Sequence, residues 1–322
     1  MKSVVDNSGR LLSWLCLIFL TACTAFVPAS DSTQVAIERS PIPIDSLVTT
    51  EWLSQHLDAP DLVILDANVV VEMDESGVRS LSGRSQYEQG HIPGAGFADL
   101  KGELRDGNSE LEFDPPSPEQ FAAAMGALGV GDNSRVVIYD AYGTAWAARV
   151  WWMLRWIGFD NAAVLDGGLQ AWTAEGRPLT SSASTEPARQ LSIKLRPEVF
   201  SDRDEVFAAI DNDAVTIIDA MPEAHYRGEM QMYARTGHVP GAINLPSFNL
   251  LDADGRYKSM DELDMMIEAE RNKRTITYCG GGISASSDAF ILHRLGFKNV
   301  AVYSPSMQEW SANPENPLVK SP

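Results

Sequence analysis

The stretch GHVPGA at residues 237–242 has a near copy, GHIPGA, at residues 90–95. Each copy lies between two further matched segments. The first copy lies between VILDA at 63–67 and VVIYD at 136–140, and the second lies between TIIDA at 216–220 and ITYC at 276–279. The offsets between matched points lie between 138 and 153 residues, which is too long for a solenoid repeat. The repeat therefore indicates two copies of one domain, joined in tandem.

Short β-branched runs alternate with helix-like segments in both halves of the chain, which favours a parallel sheet with helices on its faces. VVIYD at 136–140 is nearly apolar throughout, as expected for a strand that is buried on both faces. The predicted fold class is α/β, with two such domains at residues 45–181 and 198–320. Residues 182–197, rich in Ser, Thr, Pro and Arg, are predicted to link them.

The composition is that of a globular protein with a large excess of negative charge. Of 322 residues, 44% are hydrophobic and 21% are charged, which is enough apolar side chain for two buried cores. The formal net charge of -19 disfavours nucleic acid as a partner, because its phosphates need Lys and Arg for neutralisation. The same charge repels small anions at long range, so a site for an anionic substrate must be built locally.

The first residues have the pattern of an export signal. Lys2 and Arg10 precede LLSWLCLIFL at 11–20, an apolar stretch that is too short to span a bilayer. Such a stretch is typical of the central region of a signal peptide, and residues 1–22 are predicted to form one.

LTAC at 20–23 resembles a bacterial lipobox, which implies cleavage before Cys23 and attachment of a lipid to Cys23. Several acyl chains hold a protein firmly to a membrane. Residues 23–44 would then be a tether, and the protein would face the periplasm from a bacterial cell envelope. Because Thr24 is not an Asp, the outer membrane is the expected location in a cell with two membranes. A secretory signal with a chance cysteine is the alternative.

Three cysteines, at positions 16, 23 and 279, are too few for a disulfide framework. If the first is removed and the second is acylated, Cys279 is the only thiol of the mature protein. The glycines after it let the backbone adopt positive φ, so we predict that successive N–H groups face the sulfur and, with the start of the next helix, lower the pKa of Cys279. The predicted cradle consists of Gly280, Gly281, Gly282, Ile283 and Ser284.

A thiolate held in this way can attack an outer sulfur, keep it as a persulfide and release it to an acceptor. Other interpretations of the loop fit less well. A P-loop would need a Lys after its last glycine, and a Cys-x₅-Arg phosphatase would need Arg where Ala285 stands. A small buried core cysteine is the remaining alternative. No spacing of His or Cys predicts a metal site, and no cofactor is expected.

These segments together resemble the rhodanese superfamily, in particular the tandem thiosulfate and 3-mercaptopyruvate sulfurtransferases, over nearly the whole chain from about residue 45. LDGG at 165–168 with Trp172 and ARVWWM at 148–153 add to the resemblance. In that family only the second domain keeps the nucleophile, and here Asp140 stands at the matched position of the first domain. The resemblance implies that Cys279 is the catalytic residue.

The sequence departs from the family pattern around the donor. Met221 and His225 stand where family members carry arginines, and Gly281 replaces a hydroxyl residue of the mercaptopyruvate enzymes. Ser304-Pro305-Ser306 replaces an Asp-Gly-Ser segment. Three arginines are candidates to orient an anionic donor: Arg227, in a Tyr-Arg-Gly segment of the family, ahead of Arg149 and Arg235.

Three functions stay open at this point. The first is transfer of sulfane sulfur from a small anionic donor, thiosulfate or 3-mercaptopyruvate, to cyanide or a thiol acceptor. The second is a protein-to-protein persulfide carrier at the cell envelope, and the third is a binding module with little turnover. The histidines at 91 and 238 are predicted to be buried and hydrogen-bonded, and four tryptophans at helical spacing are predicted to lie in the core or the domain interface: Trp146, Trp151, Trp152 and Trp156.

Overall fold

The computed structural model describes residues 43–74 and 77–321. The first domain is a five-stranded parallel sheet with helices on its faces, and its strand order is β1-β7-β6-β2-β5. In chain order its elements are β1 (Leu47–Val48), α1 (Thr50–His56), β2 (Leu62–Asp66), β3 (Val69–Asp74), β4 (Gly77–Ser82), α2 (Arg84–Gln89), β5 (Gly96–Phe97), α3 (Pro118–Ala127), β6 (Arg135–Tyr139), α4 (Ala145–Trp156), β7 (Ala162–Leu165) and α5 (Gly168–Ala174). The antiparallel hairpin of β3 and β4 was not predicted.

The second domain repeats this topology, with the strand order β10-β9-β11-β12-β8. Its elements are β8 (Phe200–Ser201), α6 (Arg203–Ala209), β9 (Val215–Asp219), α7 (Glu223–Tyr226), β10 (Ile243–Asn244), α8 (Met260–Met266), β11 (Arg274–Tyr278), α9 (Ile283–Arg294), β12 (Val300–Tyr303) and α10 (Ser306–Trp310), with 3-10 turns at Pro197–Val199 and Ser247–Leu250. Read from β8, the order matches the first domain strand for strand. The predicted α/β fold with two parallel sheets is confirmed.

The central strands are covered on both faces, which explains their continuous apolar sequence. Every residue of β2, β6, β7 and β12 is buried. Successive residues of a strand point to opposite faces, and in β6 Val136 and Ile138 enter one core cluster while Val137 and Tyr139 enter another. Helices on both sides of the sheet therefore take up alternate side chains of the same strand.

The two domains meet where α4 packs against α9. The ring of Trp151 meets the ring of Phe290 edge-on, with 4.9 Å between centroids. Trp152 is buried and donates from Nε1 to the carbonyl oxygen of Val199 at 2.9 Å. The predicted core and interface positions of these two tryptophans are confirmed, and one hydrophobic cluster includes residues of both domains.

The predicted linker, 182–197, lies along the surface of the first domain. Arg189 donates its N–H to Gly126 at 2.9 Å, and Lys194 donates to Ile157 at 2.8 Å. The predicted signal peptide, Cys23 and the tether as far as residue 42 lie outside the described residues. Within residues 43–74 and 77–321, no helix combines the length and the apolar character needed to cross a membrane.

Candidate active site

Cys279 directly follows β11, the central strand of the second sheet, and is only 2% exposed. The segment after β12 holds its backbone in place. The hydroxyl of Ser306 accepts a hydrogen bond from the N–H of Cys279 at 3.1 Å, and Met307 donates its N–H to the Cys279 carbonyl at 3.0 Å. The thiol therefore lies at the carboxyl end of a rigid strand, at the start of the loop that leads into α9.

Backbone N–H groups of Ala285, Gly281 and Gly282 lower the pKa of Cys279, but burial raises it by more, so the net shift is upward. The predicted lowering of this pKa is therefore wrong, because the sequence does not show how completely the two domains bury the sulfur. Two of the three donors belong to the predicted cradle, and Ala285 extends it by one residue.

The three glycines differ in conformation and in the neighbours that they meet. Of the three, only Gly282 uses the predicted freedom to adopt a positive φ, of 81°. A Cβ on Gly280 would lie 1.7 Å from the hydroxyl oxygen of Tyr233, and a Cβ on Gly281 would lie 3.3 Å from the side-chain nitrogen of Gln308. The absence of a Cβ at position 280 therefore leaves room for Tyr233, whereas the contact at position 281 is tight but involves the far end of a flexible side chain.

Residues of both domains cover the thiol. Tyr233 lies against Gly280, and Gln308 lies beside the next glycine while it accepts a hydrogen bond from the N–H of Glu112 of the first domain at 3.3 Å. A cavity of about 10 Å³, lined by Tyr233, Met221 and His225, has room for about one water. Tyr233, Gln308 and the Ser306 contact were not predicted from the sequence, in which the altered Ser-Pro-Ser segment was the one sign that this wall is unusual.

A wider groove of about 830 Å³ opens on the outer side of Tyr233 and Gln308. Three carboxylates line it, those of Glu110, Glu112 and Glu309. Lys101 pairs with Glu112 at 2.6 Å, and the hydroxyl of Tyr303 donates to Glu309 at 2.6 Å. This outer groove is therefore acidic.

The three candidate arginines have different surroundings. Arg227 forms an ion pair with Glu223 and keeps its side chain 41% exposed, so the structure gives no support to its predicted role in orienting a donor. Arg235 donates to four backbone carbonyls and anchors the C-terminal segment: those of Trp310, Ser311, Asn313 and Asn316. Arg149 is 1% exposed and donates to the hydroxyl of Ser304 at 2.7 Å.

The equivalent loop of the first domain holds a carboxylate. Asp140 follows β6, the central strand of its sheet. Its Oδ1 accepts from the N–H of Thr144 at 3.1 Å, and its Oδ2 accepts from Trp146 and Ala147 at 3.0 Å each. In both domains, the loop between the central strand and the next helix therefore provides backbone N–H donors for an acidic side chain.

Both histidines of the GH(I/V)PGA turns are structural, as predicted. His91 Nδ1 lies 2.7 Å from the carbonyl oxygen of Tyr87, and His238 Nδ1 lies 2.7 Å from that of Tyr226. Each imidazole stacks on the ring of the same tyrosine. In the part of the chain that the structure describes, no group of three His, Cys, Asp or Glu side chains is placed to hold a metal ion.

The model of the rhodanese-like domain matches residues 49–175 and 202–313. The chain is 34% identical to the 3-mercaptopyruvate sulfurtransferase of Escherichia coli K12 over 277 residues, which cover 84% of this chain and 96% of the relative. It is 33% identical to the thiosulfate sulfurtransferase of Bos taurus over 278 residues, 82% of this chain and 91% of that protein.

Among solved structures, a 3-mercaptopyruvate sulfotransferase from Escherichia coli superposes with a TM-score of 0.72 at 32% identity, covering 82% of this chain and 99% of that one. The family model, the relatives and the superposed structure agree with the two parallel-sheet domains described above. The chain therefore belongs to the rhodanese family, in its two-domain sulfurtransferase class.

Proposed function

We propose that the protein moves sulfane sulfur from thiosulfate or 3-mercaptopyruvate to cyanide or a thiol, through a persulfide on Cys279. The observation that carries this proposal is the position of the sulfur. It lies at the end of a central strand and is surrounded by the N–H groups of Gly281, Gly282 and Ala285 at the start of α9. Such donors stabilise an anionic sulfur before and after transfer.

The chemistry follows in two half-reactions. The Cys279 thiolate attacks the outer sulfur of thiosulfate, so that a new S–S bond forms while the donor's S–S bond breaks and sulfite leaves with the electron pair. With 3-mercaptopyruvate, the C–S bond breaks instead; the electron pair stays on carbon, and pyruvate leaves as its enolate and takes up a proton. The acceptor then attacks the terminal sulfur of the persulfide, and the Cys279 thiolate is released.

The test is intact-mass measurement of the purified full chain after incubation with each donor. The expected result is a gain in mass of one sulfur atom, absent in Cys279→Ser and lost again when cyanide is added. The donor that adds sulfur faster identifies the substrate. No gain with either donor would contradict the proposal for small donors.

A second candidate is a carrier that receives its persulfide sulfur from another protein. The carboxylates of Glu110, Glu112 and Glu309 favour it, because an acidic groove beside Tyr233 and Gln308 does not attract small anions. The inner cavity favours it as well, because Met221 and His225 line it and its Arg235 is already bound to backbone carbonyls. A carrier would gain sulfur from a persulfidated protein but not from the two small donors, and it would release that sulfur slowly to cyanide.

We also propose that Cys23 carries a lipid that holds the protein at the bacterial envelope, on the basis of the LTAC segment at 20–23. The full chain expressed in bacteria is expected to partition into the detergent phase. Cys23→Ser is expected to partition into the aqueous phase. Equal partitioning of the two forms would contradict lipid attachment.

A further inference from the structure

Arg149 is a buried guanidinium that α4 of the first domain carries to the second domain. It is 1% exposed, and its Nη2 donates to the hydroxyl of Ser304 at 2.7 Å and to the carbonyl of Phe113 at 2.8 Å. Its Nε and Nη1 are also buried and have no hydrogen-bond partner. Both of the acceptors that it does have are neutral, and among the described residues no carboxylate is hydrogen-bonded to it; the negative charge of Asp114 acts on it without such a contact.

Such an arrangement is costly for the fold. A buried charge without a hydrogen-bonded counter-ion loses its hydration, and the ring of Phe200, whose centre lies 5.3 Å from the guanidinium carbon, offsets only part of that loss. Burial lowers the pKa of Arg149 to about 10, so the group is still protonated at neutral pH. Buried donors without partners call for a functional explanation. The donors of Arg149 would be explained if negative charge develops close to them in another state of the protein.

The cysteine loop is the part of the molecule that develops such a charge. Ser304, which accepts from Arg149, lies against Gly282: a Cβ on this glycine would be 3.1 Å from the Ser304 hydroxyl oxygen. Two residues further on, Ser306 accepts from the N–H of Cys279. Arg149 therefore lies directly behind the wall that positions the sulfur, and negative charge on Cys279 raises the pKa of Arg149.

We propose that Arg149 is the counter-ion of the sulfur anion on Cys279 and positions it from the first domain, in place of an arginine on the donor side. The proposal deepens the function proposed above and rests on Cys279 as the sulfur carrier. It assigns the first domain a direct electrostatic part in the reaction.

Arg235, a cation that lines the cavity beside Tyr233, is held by four backbone carbonyls. Asp219, Tyr233 and Asp114, which also lie near this pair, are acidic or neutral. Asp219, at the end of β9, raises the pKa of Cys279. Tyr233, which lies over the loop, has its own pKa raised by burial and is neutral over the physiological range. Asp114 of the first domain interacts with Arg149 and favours its protonated form.

The test measures ionisation of the thiol, and it needs no sulfur transfer. The rate at which iodoacetamide alkylates Cys279 is followed against pH in the full chain, by mass spectrometry of the peptide that contains this residue. The rate reports the thiolate fraction. Arg149→Met keeps an unbranched apolar stem without the charge. In this variant we expect the midpoint of the curve of alkylation rate against pH to rise by about one pH unit, so that alkylation at pH 7 becomes about ten-fold slower.

Ser304→Asp gives the guanidinium a carboxylate partner, and Ser304→Asn has the same size without the charge, so the difference between the two variants isolates the charge. We expect Ser304→Asp to melt at a higher temperature than Ser304→Asn and yet to have the higher midpoint for alkylation. A purely structural Arg149 would change melting temperatures without moving the pH profile.

Folded Arg149→Met and Ser304→Asp proteins with the wild-type pH profile would overturn the proposal. Sulfur uptake by the same variants is measured separately. Shifted profiles without sulfur uptake in the wild type would reject the proposed function and leave the pairing of Arg149 with the thiolate standing.

Discussion

The carboxylate of Asp140 and the thiol of Cys279 occupy equivalent places in the two domains. Each follows the central strand of a parallel sheet, and three backbone N–H groups at the start of the next helix interact with each side chain. The loop that accommodates an anion therefore belongs to the fold of both domains. The residue type at this one position decides whether the loop holds a fixed carboxylate or a reactive sulfur.

Replacing Asp140 by Ala leaves the N–H groups of Thr144, Trp146 and Ala147 without an acceptor in a buried loop. Each buried donor left unpaired costs about 1–3 kcal/mol. We therefore expect Asp140→Ala to lower the free energy of unfolding by about 3 kcal/mol or more at pH 5, as measured by urea denaturation. Sulfur uptake by the folded variant should persist, because Asp140 lies in the other domain.

The loss of stability in Asp140→Ala should depend on pH. Burial raises the pKa of Asp140 from 3.8 to about 7. A raised carboxyl pKa gives stability that is fully present below the unfolded pKa and is lost as pH rises through the folded one. The wild type loses that contribution by pH 8, whereas the variant has no such contribution, so the difference in free energy of unfolding between the two proteins should be smaller at pH 8 than at pH 5. An equal difference at the two pH values would contradict the assigned pKa.

Local patterns in the sequence were sufficient to predict the fold. The repeat around GHVPGA at 237–242 gave the duplicated domain, and the apolar runs gave the buried parallel strands, because strand burial follows from the residues of the strand itself. Cys279 could be placed at the end of its strand in the same way. The β3–β4 hairpin lies outside the repeat, so the comparison of the two halves contained no sign of it.

The surroundings of Cys279 could not be predicted, because they depend on contacts between distant parts of the chain. Tyr233 approaches Gly280 from a segment without a counterpart in the first half, and Glu112 reaches Gln308 from the other domain. Their combined burial of the thiol reverses the expected direction of its pKa shift. Arg227 was favoured for its local segment, which says nothing about its ion pair with Glu223.

Tyr233 is expected to limit access to the thiol. Removing its ring in Tyr233→Ala opens the route to Cys279, which is otherwise 2% exposed. We expect iodoacetamide to react about ten-fold faster at a fixed pH, equivalent to about 1.4 kcal/mol in the free energy of opening. Tyr233→Phe keeps the ring and is the matched control, with a rate near that of the wild type. Equal rates in all three proteins would show that another residue limits access.

Gly280→Ala tests the close approach of the same tyrosine. The added Cβ would lie 1.7 Å from the Tyr233 hydroxyl oxygen and 2.8 Å from the ring carbon that bears it. The ring must therefore move, and overpacking of this kind costs about 1–3 kcal/mol. We expect the loss of stability to disappear in the Tyr233→Ala background, as measured by a double-mutant cycle in urea.

Gly282→Ala is the contrasting case. A Cβ there would meet the backbone of Ser304 at 2.9 Å, and the residue has a φ of 81°. Neither problem involves Tyr233, so the loss of stability should be the same with and without Tyr233→Ala. If Tyr233→Ala instead restored the stability lost in Gly282→Ala, the loop would be shown to move as a unit.

Asp219 is the buried acid that opposes ionisation of the thiol. Burial raises its pKa from 3.8 to about 6, and the hydroxyl of Tyr278 donates to its Oδ2 at 2.7 Å. The wild type therefore loses stability as pH rises from about 4 to about 6, by at most about 3 kcal/mol. Asp219→Asn does not titrate, so its free energy of unfolding relative to the wild type should rise across that window.

The same substitution should lower the pKa of Cys279, because the charge of Asp219 raises it. Asp66→Asn is the matched control, since Asp66 is the equivalent residue of the first domain, with a pKa also raised to about 6 by burial and with Tyr139 as its partner. In both variants the free energy of unfolding relative to the wild type should rise with pH, whereas only Asp219→Asn should shift the alkylation profile of Cys279 to lower pH. An equal shift in Asp66→Asn would mean that the profile follows the stability of the fold, and that the charge of Asp219 does not set the ionisation of the thiol.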